Sequence, residues 1–231
     1  ELFVPLAELE KAEFTVYAPD LPWHGATRWD REFYSREDLQ ELLQKIAERE
    51  GRPVEHLTGY SMGGRLAMSL FQGQAEAFSE IWLLAPDGVR TQWLSLFDLL
   101  PEKWFYALVR RVEQRPERGL RLVGGLHRLG LVDNRSWRFV QRFFTTPEGR
   151  IQSLRSWAAL RRFPHRRSAF IRQVREQKNP VLVAAGEYDP VIPIRALRSF
   201  ARRMPTARFL ALNAGHRLLG RELVEKLSAS T

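Results

Sequence analysis

Val54-Glu-His-Leu-Thr58 runs directly into Gly59-Tyr60-Ser61-Met62-Gly63-Gly64, and residues 62–72 then read as a helix. A strand, a Gly-x-Ser-x-Gly turn and a helix in immediate succession put one serine on a sharp strand-to-helix turn. Such a turn forces Ser61 into a strained backbone conformation, and glycines on either side remove the Cβ clashes that would block it. Ser61 then projects its hydroxyl from the carboxyl end of a sheet strand, at the amino end of a helix. Free N–H groups and the helix dipole there favour developing negative charge. The pentapeptide alone also fits a Gly-rich turn with an incidental serine, so its surroundings decide.

Working outward, short β-rich runs alternate with helical patterns at both ends of the chain, which points to a parallel sheet with flanking helices. Phe14–Ala18, Val54–Thr58, Ile81–Ala85, Val181–Ala185 and Ala207–Leu212 read as strands. Residues 36–50, 62–72, 194–203 and 217–228 read as helices, the first with Ser35 as N-cap, an apolar stripe of Leu39, Leu42, Leu43 and Ile46, and Gly51 at its end. The middle has no strand of comparable strength. Trp104, Phe105, Leu108, Val109 and Val112 recur at helical spacing, as do Trp137, Val140, Phe143 and Phe144, and Ile151, Leu154, Trp157 and Ala158. The fold class is therefore α/β, with a core at 1–86 and 178–231 and a helical insertion at 87–177.

A serine needs a base, because its own hydroxyl is far too weak an acid for attack at neutral pH. Of His24, His56, His127, His165 and His216, only His216 follows the last strand, in Asn213-Ala-Gly-His216. Asp189, in the loop Gly186-Glu-Tyr-Asp-Pro-Val-Ile-Pro193 after the preceding strand, is the leading acid to orient it. Glu187 in the same loop and Asp87 after the third strand are rivals. His56 reads as a core or sheet-facing residue. His24 reads as hydrogen-bonded within its own loop rather than catalytic, although it and Tyr60 lie where substrate contacts are expected. His127 and His165 fall in the insertion.

Composition narrows the chemistry. The 231 residues contain no cysteine, which excludes thiolate nucleophiles and disulfides. No nucleotide-binding glycine loop and no metal-ligand spacing occurs, so no cofactor and no metal is expected. No apolar run approaches the roughly 20 residues of a bilayer-spanning helix, and no secretory signal precedes Glu1; a cytoplasmic protein is the expectation. Net charge is +9, from 36 basic and 27 acidic side chains. Between Asp87 and Arg175 stand 19 basic and 7 acidic residues, so the insertion carries all of the excess positive charge. That segment is either a solvated Arg-rich surface or a contact for an anionic partner or membrane surface. Nucleic acid is not expected.

Taken together, these segments resemble the α/β-hydrolase superfamily over nearly the whole chain. Ala18-Pro-Asp-Leu-Pro-Trp-His-Gly25 is similar to the family's APDLPGHG loop, with Trp23 in place of glycine. The 186–193 and 213–216 segments match its acid and base segments, and the insertion after Ala85-Pro86 sits where the family places its cap. The resemblance implies Ser61 as nucleophile, His216 as base, Asp189 as acid, and the Met62 N–H as one oxyanion donor. A cap would then set the substrate, with Trp93, Phe97, Trp104, Phe105, Trp137, Phe143 and Trp157 split between its core and the pocket wall, and with an apolar pocket and a basic rim suited to an acyl chain bearing an anionic head.

The family also places a strand and a His-Gly-type loop, the source of a second oxyanion N–H, ahead of its first sheet helix. Here Glu1–Glu10 already reads as that helix. The expectation is an upstream segment missing from the chain, a sheet edge left open near Phe14–Ala18 or Val54–Thr58, and Met62 as the one donor. Hydrolysis of a carboxylic ester or thioester through an acyl-enzyme is the leading function. The alternatives are a pyruvate-eliminating synthase like that of the menaquinone pathway, which the Gly59–Arg65 segment also resembles, and a non-catalytic binding protein on the same scaffold.

Overall fold

The computed structural model describes residues 3–6, 15–89, 101–132, 134–144 and 146–228. Four strands, β1 (His56–Tyr60), β2 (Glu80–Leu84), β3 (Val181–Gly186) and β4 (Ala207–Leu212), form one sheet in that order, every neighbouring pair parallel. The described helices are α1 (Arg36–Glu50), α2 (Met62–Gly73), α3 (Glu102–Gln114), α4 (Pro116–Arg128), α5 (Asn134–Phe143), α6 (Pro147–Ala159), α7 (Arg167–Gln177), α8 (Ile194–Ala201) and α9 (Arg221–Ser228). The chain divides into two compact units. One comprises residues 1–19, 36–90 and 163–231, and the other residues 20–35 and 91–162. Residues 163–177, with α7, thus belong to the sheet unit, and residues 20–35 to the helical one.

In the sheet unit, β3 is buried at all six positions, as a parallel strand covered on both faces must be. Leu182 and Ala184 face a core shared with Leu84, Leu212 and the α9 residues Leu223, Val224 and Leu227. α2 is buried along nearly its whole length, from Gly64 to Phe71. Phe71 meets Phe170 of α7 edge-on with centroids 5.2 Å apart, and Phe170 stacks on Phe200 of α8.

Four sequence expectations need correction here. Residues 15–18 form no strand, and Phe14 lies outside the described residues. A strand persists only through its ladder, and this segment instead makes side-chain contacts: Arg52 donates to Thr15 Oγ1 at 2.7 Å, and the Tyr17 hydroxyl bonds the Glu50 carboxylate. β1 consequently pairs on one side only among the described residues. The last helix starts at Arg221 rather than 217. Leu218 is buried in the core from a loop, so its apolar character imitated a helical stripe. His56 heads β1 but is 40% exposed, with its ring beside Glu80 across the ladder. Of the segment read as an opening helix, Val4–Leu6 form a 3-10 turn; residues 7–10 lie outside the described residues.

The helical unit has its own core of Phe105, Tyr106, Val109, Leu154 and Ala158. Phe33 stacks on Tyr106 at 4.1 Å, and Trp157 meets Phe105 edge-on at 5.0 Å. Arg155 pairs with Glu113 and Arg162 with Glu102. Thr146 caps α6 by accepting from the Gly149 N–H at 3.1 Å, with Pro147 opening the helix. Trp104, expected in a core or pocket wall, is 72% exposed. Phe105 and Val109 occupy the buried stripe of α3, and a helix turns about 100° per residue, which carries Trp104 out of it. Trp93, Phe97 and the side chain of Phe143 lie outside the described residues.

Candidate active site

Parallel strands bring their carboxyl ends to one edge of a sheet. Ser61 follows β1, Asp87 follows β2, Asp189 follows β3 and His216 follows β4, so residues far apart in sequence share that edge. Ser61 has φ 51° and ψ −117°, a conformation L-residues rarely adopt. Its backbone is held on every side. Its N–H donates to the Leu84 carbonyl at 2.9 Å, and its carbonyl accepts from Gly64 at 2.9 Å and Asp87 at 2.8 Å. The glycines that permit the turn are Gly59 and Gly64. A Cβ on Gly59 would strike the backbone of Gly63 and Gly64, and one on Gly64 would strike Pro86, whereas Gly63 faces open space.

His216 has the longest way to come. β1 and β4 are three strand spacings apart, about 14 Å, so the 213–216 loop must cross the end of β3 to meet Ser61. It does so over Gly186, where a Cβ would collide with the carbonyl oxygens of Ala214 and Gly215. Backbone bonds fasten the crossing: Glu187 N–H to Leu212 O at 2.9 Å and Tyr188 N–H to Ala214 O at 3.1 Å. His216 Nε2 then lies 2.9 Å from Ser61 Oγ, and His216 Nδ1 lies 2.8 Å from Asp189 Oδ2.

The Asp189 carboxylate has no solvent-exposed side-chain surface. Burial alone would raise its pKa. The bond to His216 and the N–H groups of Ile192 (2.9 Å) and Val191 (2.7 Å), both on Oδ1, outweigh that and hold it below the usual carboxylate value. With Asp189 ionised at Nδ1, that nitrogen carries the proton and Nε2 is free to accept one from Ser61. The Met62 N–H, first in α2, has no intrahelical acceptor by its position.

A model of the alpha/beta hydrolase family matches residues 1–224. The chain belongs to the alpha/beta hydrolase family. The hydrolase YugF of Bacillus subtilis (strain 168), itself uncharacterized, is 24% identical over 232 residues, 98% of this chain and 82% of its own. A thermophilic esterase from Thermogutta terrifontis matches with a TM-score of 0.63 at 17% identity, over 99% of this chain and 84% of its own. A monoacylglycerol lipase from Paleococcus ferrophilus matches with a TM-score of 0.55 at 18% identity, over 98% and 88%. These likenesses establish the fold of this alpha/beta hydrolase.

Within that site, Asp87 contributes its backbone N–H to the serine turn, and Glu187 is exposed. Tyr60 uses its hydroxyl to hold the His216 carbonyl at 3.0 Å, with the two rings 5.4 Å apart. Burial, then the Asp189 charge, raises its pKa, so it stays a neutral donor. His24 sits in the helical unit with Nδ1 3.0 Å from the Pro22 carbonyl, inside its own loop. His127 meets the Val132 carbonyl at 2.8 Å and stacks on Trp137. His165, in the sheet unit, donates from Nε2 to Gly88 O at 3.2 Å. Sequence reasoning missed the Tyr60 anchor and the Gly186 crossing. Nothing local signals either, since each depends on a loop about 30 or 156 residues away. No group of three or more metal-ligating side chains occurs among the described residues.

Proposed function

We propose that this alpha/beta hydrolase cleaves a carboxylic ester or thioester through a Ser61 acyl-enzyme. The observation that carries the reading is the continuous hydrogen-bonded line from Ser61 through His216 to buried, ionised Asp189, ending on a serine in a strained turn at a helix start. Ser61 Oγ attacks the carbonyl carbon as its proton passes to His216 Nε2. The tetrahedral oxyanion takes a hydrogen bond from the Met62 N–H. Collapse expels the alcohol or thiol, which leaves with the proton from His216. Water, deprotonated by the same nitrogen, then attacks the ester of Ser61 and releases the acid. Asp189 keeps the imidazole in the right tautomer and supports the imidazolium.

The test is covalent labelling with a fluorophosphonate, followed by turnover of an ester and thioester panel. The wild-type chain should label at Ser61 and hydrolyse at least one class. Ser61→Ala should abolish labelling and lower kcat by roughly 10⁵-fold or more. Unlabelled wild type, or equal turnover by Ser61→Ala, would overturn the proposal.

A further inference from the structure

The helical unit carries an amphipathic helix, α4, that stays open along its length. None of the 13 residues of α4 is buried. Leu122 is 62% exposed, and Leu129 and Leu131, just past its end, are 74% and 68% exposed. Leu122 and Leu129 are seven residues apart and share one helix face, with Arg118 and Gly125 on the same row. Gly130, at φ 73°, turns the chain so that Leu131 follows directly.

The polar side of this patch is predominantly basic. Arg115, Arg118, Arg121 and Arg128 are all exposed, and Glu117 is the single acid between Arg115 and Val132. Among the described residues none of these arginines pairs with a carboxylate. Arg121 and Arg128 turn Nε back on carbonyls of their own helix, Glu117 O at 3.4 Å and Gly124 O at 3.3 Å. The same two residues rim a shallow, mostly apolar cleft of about 430 Å³ floored by Leu120, Gly124, His127 and Trp137.

Exposed leucines among exposed arginines that no described carboxylate pairs call for a partner that is apolar below and anionic above. A second copy meets the leucines but sets two basic faces against each other, in a chain of net charge +9. An anionic lipid surface complements both features. We propose that α4 and the turn through Leu131 dock on such a surface. The leucines enter the acyl boundary, and Arg115, Arg118, Arg121 and Arg128 meet headgroup phosphates. No described helix is long and apolar enough to cross a membrane, so the contact is peripheral. This inference stands apart from the proposed reaction and survives its failure.

The test is co-sedimentation of the full chain with phosphatidylcholine vesicles, with and without phosphatidylglycerol. The expected result is binding only to the anionic vesicles, lost at high salt. Each Arg→Gln change at positions 118, 121 and 128 should weaken partition about five-fold. The triple variant Leu122→Ser, Leu129→Ser, Leu131→Ser should lose binding while keeping wild-type circular dichroism and melting temperature. In a Leu129→Trp variant, brominated acyl chains should quench emission beyond the wild-type level. Three results would overturn the proposal: no binding to either vesicle, equal binding to both, or anionic binding unchanged in the variants. Self-association without lipid that the leucine variant abolishes would reassign the patch to a second copy.

Discussion

The Tyr60 hydroxyl donates to the His216 carbonyl at 3.0 Å, so the residue before Ser61 holds the backbone of the residue that faces Ser61. A single strand end thereby sets both partners of the proposed proton transfer. Tyr60→Phe keeps the ring packing and removes only this bond, whose net worth is about 1 kcal/mol. We expect kcat to fall about five-fold with KM little changed, and fluorophosphonate labelling to slow in parallel. A rise in KM at constant kcat would instead place the hydroxyl against substrate.

Gly186 tests the loop crossing. A methyl group there meets two carbonyl oxygens of the 213–216 loop, and backbone cannot give way as a flexible side chain can. Gly186→Ala should cost about 3 kcal/mol, the upper end of ordinary overpacking, and lower the melting temperature by about 6–12 °C. It should also displace His216 and lower kcat more than KM. By contrast Gly63→Ala, which faces open space, should leave melting within about 2 °C of wild type.

Asp189 makes stability depend on acid pH. Its folded pKa lies below the unfolded value of about 3.9. The unfolded chain therefore holds more protons there as pH falls, and the stabilisation, complete above about pH 4, is lost as pH drops through the lowered folded value. Urea melts of wild type and Asp189→Asn should differ most near neutrality and converge at strongly acid pH. A gap that stays constant across that range would show that the aspartate's ionisation contributes nothing to stability. The same variant should lose most of its turnover, through the wrong imidazole tautomer.

His165 gives a second acid-sensitive point, in a different window. Burial, partly offset by its bond to Gly88 O, pushes its pKa below the ordinary 6.5. The folded chain thus holds it neutral, and stability should fall as pH drops below about 6.5, where the unfolded chain takes up the proton first. His165→Gln should flatten that part of the stability curve between about pH 6.5 and 5. An unchanged slope would show the ring to be solvated.

Much of this protein is decided locally and can be read from the chain. Alternating apolar runs define β2, β3 and β4 to within a residue. Arg36–Glu50 ends where Gly51 stops it, and Gly59 to Gly64 between a strand and a helix define the serine turn. Those features depend on neighbours a few residues away, through backbone sterics and apolar periodicity. The order of the strands puts Ser61, Asp189 and His216 at a common edge once the sheet is parallel. What only the tertiary structure decided depends on contacts between distant segments. Residues 15–18 are strand-like in composition but make no ladder, because pairing is a property of two strands. Trp104 is apolar yet exposed, because α3 has a single buried side. Ala85, at φ 42°, the Tyr60 anchor and the Gly186 crossing all follow from loops that meet only when the sheet is assembled. Local sterics therefore specify which residues stand at the candidate site, whereas the close approach of backbones at the end of β3 specifies how far apart their atoms lie.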